Sequence, residues 1–116
     1  MLYVLGYGDC NVDNLNNAMD NYDIALTMIN ENNEIVAWAN IHVNKAAVLT
    51  ELGDRELGTK KFEEAYELYT RYIETIRKNE TASRLIIVQI NFSQLLSKLS
   101  AYENNINTLE RAVDLD

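Results

Sequence analysis

Apolar side chains recur along this chain at steps of three and four residues. One such run extends from Leu15 to Ile29, and a second extends from Phe62 to Ile76. This spacing places the side chains on one face of an α-helix, whereas a half-buried strand would alternate at every second residue. The pattern therefore predicts an all-α chain.

Five helices are predicted from these runs and from the polar segments between them. Ser100 and Glu103 have the spacing of a capping box, which predicts that a new helix begins there. The predicted helices cover residues 13–30, 34–53, 59–78, 82–99 and 101–115. Because a chain of 116 residues holds one hydrophobic core, they are expected to form a single domain over residues 1–116.

The chain also contains an internal repeat with an offset of 47 residues. "NKAAVLTELG" at residues 44–53 aligns with "NFSQLLSKLS" at residues 91–100, and Leu5-Gly6 aligns with Leu52-Gly53. After Ser100 the offset shortens to 40 residues. The repeat predicts about two and a half helical units, which cover residues 13–30, 34–78 and 82–115.

The repeated phrases resemble tetratricopeptide repeats. The phrases that carry the likeness are "NKAAVLTELGD", "FEEAYELYTRYI", "LNNAMDNYDIAL" and "NFSQLLSKLSAYENNINTLERAVDLD". The resemblance implies stacked antiparallel helical hairpins in a right-handed superhelix. The offsets exceed the family period of about 34 residues, so longer helices are expected here. Ala18 and Ala65 occupy the position at which the family has a small residue, where paired helices approach each other closely.

A concave groove that binds a peptide is a further implication of the resemblance. Asn44 and Asn91 occupy equivalent places in it, and an amide can both donate to and accept from a peptide main chain. A solvated Asn in an Asn-rich chain is the alternative. The predicted peptide-binding residues are Asn40, Val43, Asn44, Ala47 and Glu51 on the second helix and Ile87, Asn91, Gln94 and Lys98 on the fourth.

The charge and the cysteine content exclude several classes of function. The net charge is −8, and no Lys or Arg precedes Lys45. Nucleic-acid binding by this domain is therefore not expected, because phosphates require basic side chains. The single Cys10 cannot form an internal disulfide, and no run of about 20 apolar residues could span a membrane. We expect a cytoplasmic protein that does not bind a membrane.

No catalytic, cofactor or metal site is predicted. His42 is the only histidine, and no second His, Cys or carboxylate pair stands at ligand spacing. A role of His42 in packing or in a contact within the groove is therefore expected rather than a role in catalysis. Cys10 has no base nearby in the sequence, and no Gly-rich phosphate loop occurs.

Two functions remain open at this point. The first is a non-catalytic module that binds a peptide or protein segment, and the alternative is a structural oligomerisation scaffold. The first unit lacks its opening helix, so we expect a fragment of a larger protein, for which a bacterial peptide-sensing regulator is a plausible parent. We also expect a homodimer or higher oligomer through a half-covered stripe on the N-terminal helix. That stripe consists of Leu15, Met19, Tyr22, Leu26 and Ile29.

Overall fold

The computed structural model describes residues 12–56, 58–79 and 82–114, with side chains described up to residue 104. Within these residues the chain is helical and contains no strand, which confirms the predicted all-α class. The helices are α1 (Val12–Met28), α2 (Ile35–Gly53), α3 (Lys60–Asn79) and α4 (Ala82–Asp114). The first three agree with the predicted helices to within two residues at each end. Cys10 and Leu5-Gly6 lie outside the described residues.

The structure differs from the prediction at Ser100. One helix of 33 residues continues through this position, so the described chain has four helices where five were predicted. The segment around Ser100 contains neither Gly nor Pro, and a single Ser costs a helix only about half a kcal/mol relative to Ala. A capping-box pair marks a helix start only where the preceding residue leaves the helical conformation, and here it does not.

Helix α2 lies at the centre of the packing and contacts α1, α3 and α4, while α1 and α3 do not contact each other within the described helices. Its last eight residues, 46–53, are all buried. The main core is shared by α2, α3 and α4. Its buried members are Ala39, Val43, Ala46, Leu49, Phe62, Ala65, Tyr69, Tyr72, Ile76, Val88 and Leu95.

Small residues allow the helices of this core to approach each other. Ala65 is fully buried, whereas Ala18 is only partly buried and packs against the smaller core between α1 and α2. Their place at close helix crossings stays a prediction. Gly53 ends α2 under the ring of Phe62, with no room for a side chain. Gly58 has a φ of 90°, a left-handed conformation that favours glycine in the turn before α3.

A smaller core joins α1 to α2. Leu15 is buried against Val48 and Leu52, and an ion pair of 2.8 Å between Lys45 and Asp23 also links the two helices. None of the described helices has an apolar stretch long enough to cross a membrane.

Candidate functional site

A groove of about 630 Å³ lies beside the C-terminal end of α2 and along the outer face of α4. Glu51 contributes from α2, and the other lining residues lie on α4. They are Ile86, Gln89, Ile90, Ser93, Gln94, Ser97 and Lys98. The groove is therefore built mainly by one face of a single helix.

This face of α4 combines exposed aliphatic side chains with uncharged polar ones. Ile86 and Ile90 are 53% and 52% exposed, and Ile87 and Leu96 are exposed beside them. Residues 85–97 carry no charged side chain, although 24% of the whole chain is charged. An uncharged, partly apolar strip on an acidic molecule is typical of a protein-binding surface.

Two polar contacts with α2 fix the rotation of α4 about its axis. Arg84 donates from Nε to Oδ1 of Asn40 over 3.1 Å, and Lys98 forms an ion pair with Asp54. These contacts are about four helical turns apart on both helices. Ile86 and Ile90 lie on a different, exposed side of α4 from these two contacts, and Lys98 stands at the border between the two sides.

Three of the predicted site residues line the groove, namely Glu51, Gln94 and Lys98. Val43 and Ala47 do not present a surface to a ligand, because both are buried beneath the helices that pack on α2. Their burial does not favour the predicted assignment to a peptide-binding surface, which stays a prediction, because the helical pattern alone does not show which faces of α2 are covered.

The other four predicted residues, Asn40, Asn44, Ile87 and Asn91, do not line the groove. Asn40 is held by Arg84, and Ile87 is exposed but lies outside the groove lining. Asn44 and Asn91 are half-buried, and neither side chain makes a hydrogen bond to another described residue. Their amides are therefore not required by the part of the fold that the structure describes.

Five lining residues are absent from the predicted set, namely Ile86, Gln89, Ile90, Ser93 and Ser97. The predicted face of α4 included Ile87 and Asn91. The face that lines the groove instead includes Ile86 and Ser93, so it lies further around the helix axis than was predicted. The signal that could have located it is the uncharged run 85–97, which stands out in a chain this acidic.

His42 lies in an aromatic cluster between α2 and α3. Its ring stacks on Tyr72 with centroids 4.5 Å apart and meets Trp38 edge-on at 5.3 Å. Both ring nitrogens are buried and have no hydrogen-bond partner among the described residues. This environment suits a neutral, packed imidazole.

The protein should lose stability as the pH falls below the ordinary pKa of histidine. Burial lowers the pKa of His42, and Lys45 and Arg71 lower it further, while Asp23 acts in the opposite direction. The unfolded chain therefore takes up a proton near pH 6.5 that the folded chain resists. The stability is full above that pH and declines below it, toward the lowered pKa of the folded state.

Urea denaturation of the wild type and of His42→Phe at several pH values between about 5 and 7 checks this expectation. The Phe ring preserves the stacking on Tyr72 but does not titrate. The variant should show a shallower decline of stability across this range. Equal slopes for the two proteins would mean that the environment of His42 does not disfavour its charged form.

The apolar stripe predicted on the N-terminal helix is largely covered. Leu15 is fully buried, and Met19 and Tyr22 pack against the same small core. The exposed large apolar residues of α1 are others, such as Ile24 and Met28. A dimer through the predicted stripe stays a prediction.

A second cleft, of about 500 Å³, lies between the start of α3 and the middle of α4. It is lined by Thr59, Glu63, Tyr66, Glu67, Leu99 and Glu103. Its carboxylates do not form a metal site, and no group of three or more potential metal ligands occurs within the described residues.

Comparison with protein-family models, with curated proteins and with solved structures yields no match. The likeness to tetratricopeptide repeats therefore rests on the sequence pattern.

Proposed function

We propose that this chain is a non-catalytic helical module that binds a peptide or protein segment in the groove along α4. The observation that carries the proposal is the set of exposed, uncharged side chains that α4 presents to the groove, namely Ile86, Gln89, Ile90, Ser93, Gln94 and Ser97. On a molecule with a net charge of −8, such a strip favours a neutral partner surface that would lose little hydration on docking.

The lining residues suggest how a segment would be held. Ile86 and Ile90 offer an apolar surface for one or two anchoring side chains. Gln89 and Gln94 offer amides that can donate to and accept from a main chain. Lys98 is occupied by Asp54, so the groove has little free charge with which to select an acidic or basic ligand.

The proposal includes the finer architecture that the resemblance implies. In a stack of tetratricopeptide-like hairpins, α2 and α3 would form one hairpin and α4 the first helix of the next. Contacts of α2 with α4, without contacts between α1 and α3, support that order of helices. A cytoplasmic setting is also part of the proposal, supported by the single Cys in the sequence.

Replacing Asn44 or Asn91 by Ala should leave stability nearly unchanged, and it should weaken peptide binding if the bound segment extends past the groove lining to these two amides. Ala is the better helix former by a few tenths of a kcal/mol, and neither amide bonds to another described residue. If the amides clamp a ligand main chain, each replacement should weaken binding by about 1–3 kcal/mol. The probes are peptides selected on the wild-type protein from a displayed random library, measured by titration calorimetry together with thermal melts.

Asn21→Ala provides the matched control, because Asn21 is an exposed Asn on α1, away from the groove. It should alter neither binding nor melting. A large loss of stability in Asn44→Ala or Asn91→Ala would make that Asn structural. Selected peptides that bind Asn44→Ala and Asn91→Ala as tightly as the wild type would remove both residues from the site.

Failure to select any peptide on the wild-type protein would overturn the proposed function as a whole. So would selected peptides that bind an Ile90→Glu variant as tightly as they bind the wild type. The alternative function, an oligomerisation scaffold, is favoured by the order of large and small side chains along the same face of α4.

A further inference from the structure

The outer face of α4 carries large and small side chains in a particular order. Ile86, Ile90, Ser93 and Ser97 follow one another at steps of four, three and four residues, so they form a single line along the helix. All four are exposed, and all four line the groove. The first half of the line is therefore bulky, and the second half is small.

This order is complementary to itself when two copies of the helix run in opposite directions. In an antiparallel pair, Ile86 of one copy lies opposite Ser97 of the other, and Ile90 lies opposite Ser93. Each large side chain then meets a small one, as close helix packing requires. A parallel pair would place Ile against Ile and Ser against Ser, which would crowd one end and leave a gap at the other.

The charge distribution also favours contact at this face. Two copies that each carry a net charge of −8 repel each other over most of their surfaces. Residues 85–97 carry no charge, and the flanking cations are already occupied, Arg84 by Asn40 and Lys98 by Asp54. The two charged residues that line the groove are paired as well, Lys98 with Asp54 and Glu51 with Arg55, so bringing two such strips together places few unpaired charges at the contact.

We propose that α4 of a second copy of this chain docks in the groove, antiparallel, to form a two-fold symmetric dimer centred between Ile90 and Ser93. The inference rests on the proposed function, because it names the protein segment that the groove accepts. A two-fold interface uses the same surface of both partners, so a self-complementary line is what it needs. Self-association and the capture of another segment would then compete for one surface.

Cysteine cross-linking of the full-length chain in a Cys10→Ser background tests the pairing. Ile86→Cys and Ser97→Cys are prepared separately and are oxidised either alone or as an equal mixture. In the antiparallel dimer the mixture should form a disulfide between the two variants. Each variant alone should form little, because identical positions lie about 16 Å apart along the helix, beyond disulfide reach.

Three results would overturn the proposal. Efficient disulfide formation by Ser97→Cys alone would indicate a parallel pair or a different contact. Equal cross-linking by Ile24→Cys, an exposed position on α1, would indicate random collisions or a dimer through α1. A strictly monomeric wild type in sedimentation at high concentration would exclude the dimer.

The proposed function can fail or survive independently of this dimer. If the mixture does not cross-link but library-selected peptides bind and Ile90→Glu abolishes that binding, the groove binds protein segments and only the dimer is wrong. If the mixture cross-links and no peptide is ever selected, the dimer stands and peptide capture is wrong.

Discussion

Replacing Leu95 by Ala is expected to lower the free energy of unfolding by about 2–5 kcal/mol. Leu95 is 0% exposed and belongs to the core shared by α2, α3 and α4. Its neighbour Leu96 is 44% exposed. The same replacement at Leu96 should change the stability by only about 0.5 kcal/mol, because it removes little buried surface and leaves no cavity.

Urea denaturation followed by circular dichroism measures both variants under one set of conditions. The pair tests the rotation of α4, on which the position of the groove depends. If Leu95→Ala and Leu96→Ala cost the same, the helix is rotated differently, and Ile86 and Ile90 need not face outward.

Replacing Gly53 by Ala is expected to destabilise the protein by about 1–3 kcal/mol through overpacking. A Cβ atom at this position would lie 2.7 Å from both Cδ1 and Cε1 of Phe62. Phe62 is itself buried in the main core, so its ring can move away only by displacing other core side chains. Melting and denaturation of the variant measure the loss.

A double variant shows whether the loss arises at this contact. Phe62→Leu removes the ring atoms that the new methyl group would meet. Gly53→Ala combined with Phe62→Leu should therefore be less destabilised than the sum of the two single changes. Strict additivity would mean that Gly53 is required for another reason, and that the end of α2 and the start of α3 are not packed as described.

The helices were predictable because their apolar faces are regular. The runs from Leu15 and from Phe62 identify α1 and α3, and their limits agree with the structure to within two residues. The predicted break at Ser100 fails for a physical reason. A capping box describes local hydrogen bonds, whereas the choice between one long helix and a hairpin depends on what the following residues pack against.

The candidate site was only partly predictable, because the internal sequence repeat does not determine how α4 packs on α2. The repeat aligns the two helices with an offset of 47 residues. The contacts of Arg84 with Asn40 and of Lys98 with Asp54 are both 44 residues apart in sequence. This difference of three residues, almost one helical turn, is a property of packing between helices that a single sequence does not reveal.

The most direct test of the groove is an isoleucine-methyl NMR titration of the full-length protein with a library-selected peptide. Ile86 and Ile90 lie in the groove, Ile24 is equally exposed on α1, and Ile76 is buried in the core. If the groove on α4 binds protein segments, the methyl signals of Ile86 and Ile90 will shift with saturation, while those of Ile24 and Ile76 stay in place. A peptide that saturates the protein without moving Ile86 and Ile90, or that moves Ile24 as much, would contradict the proposed site.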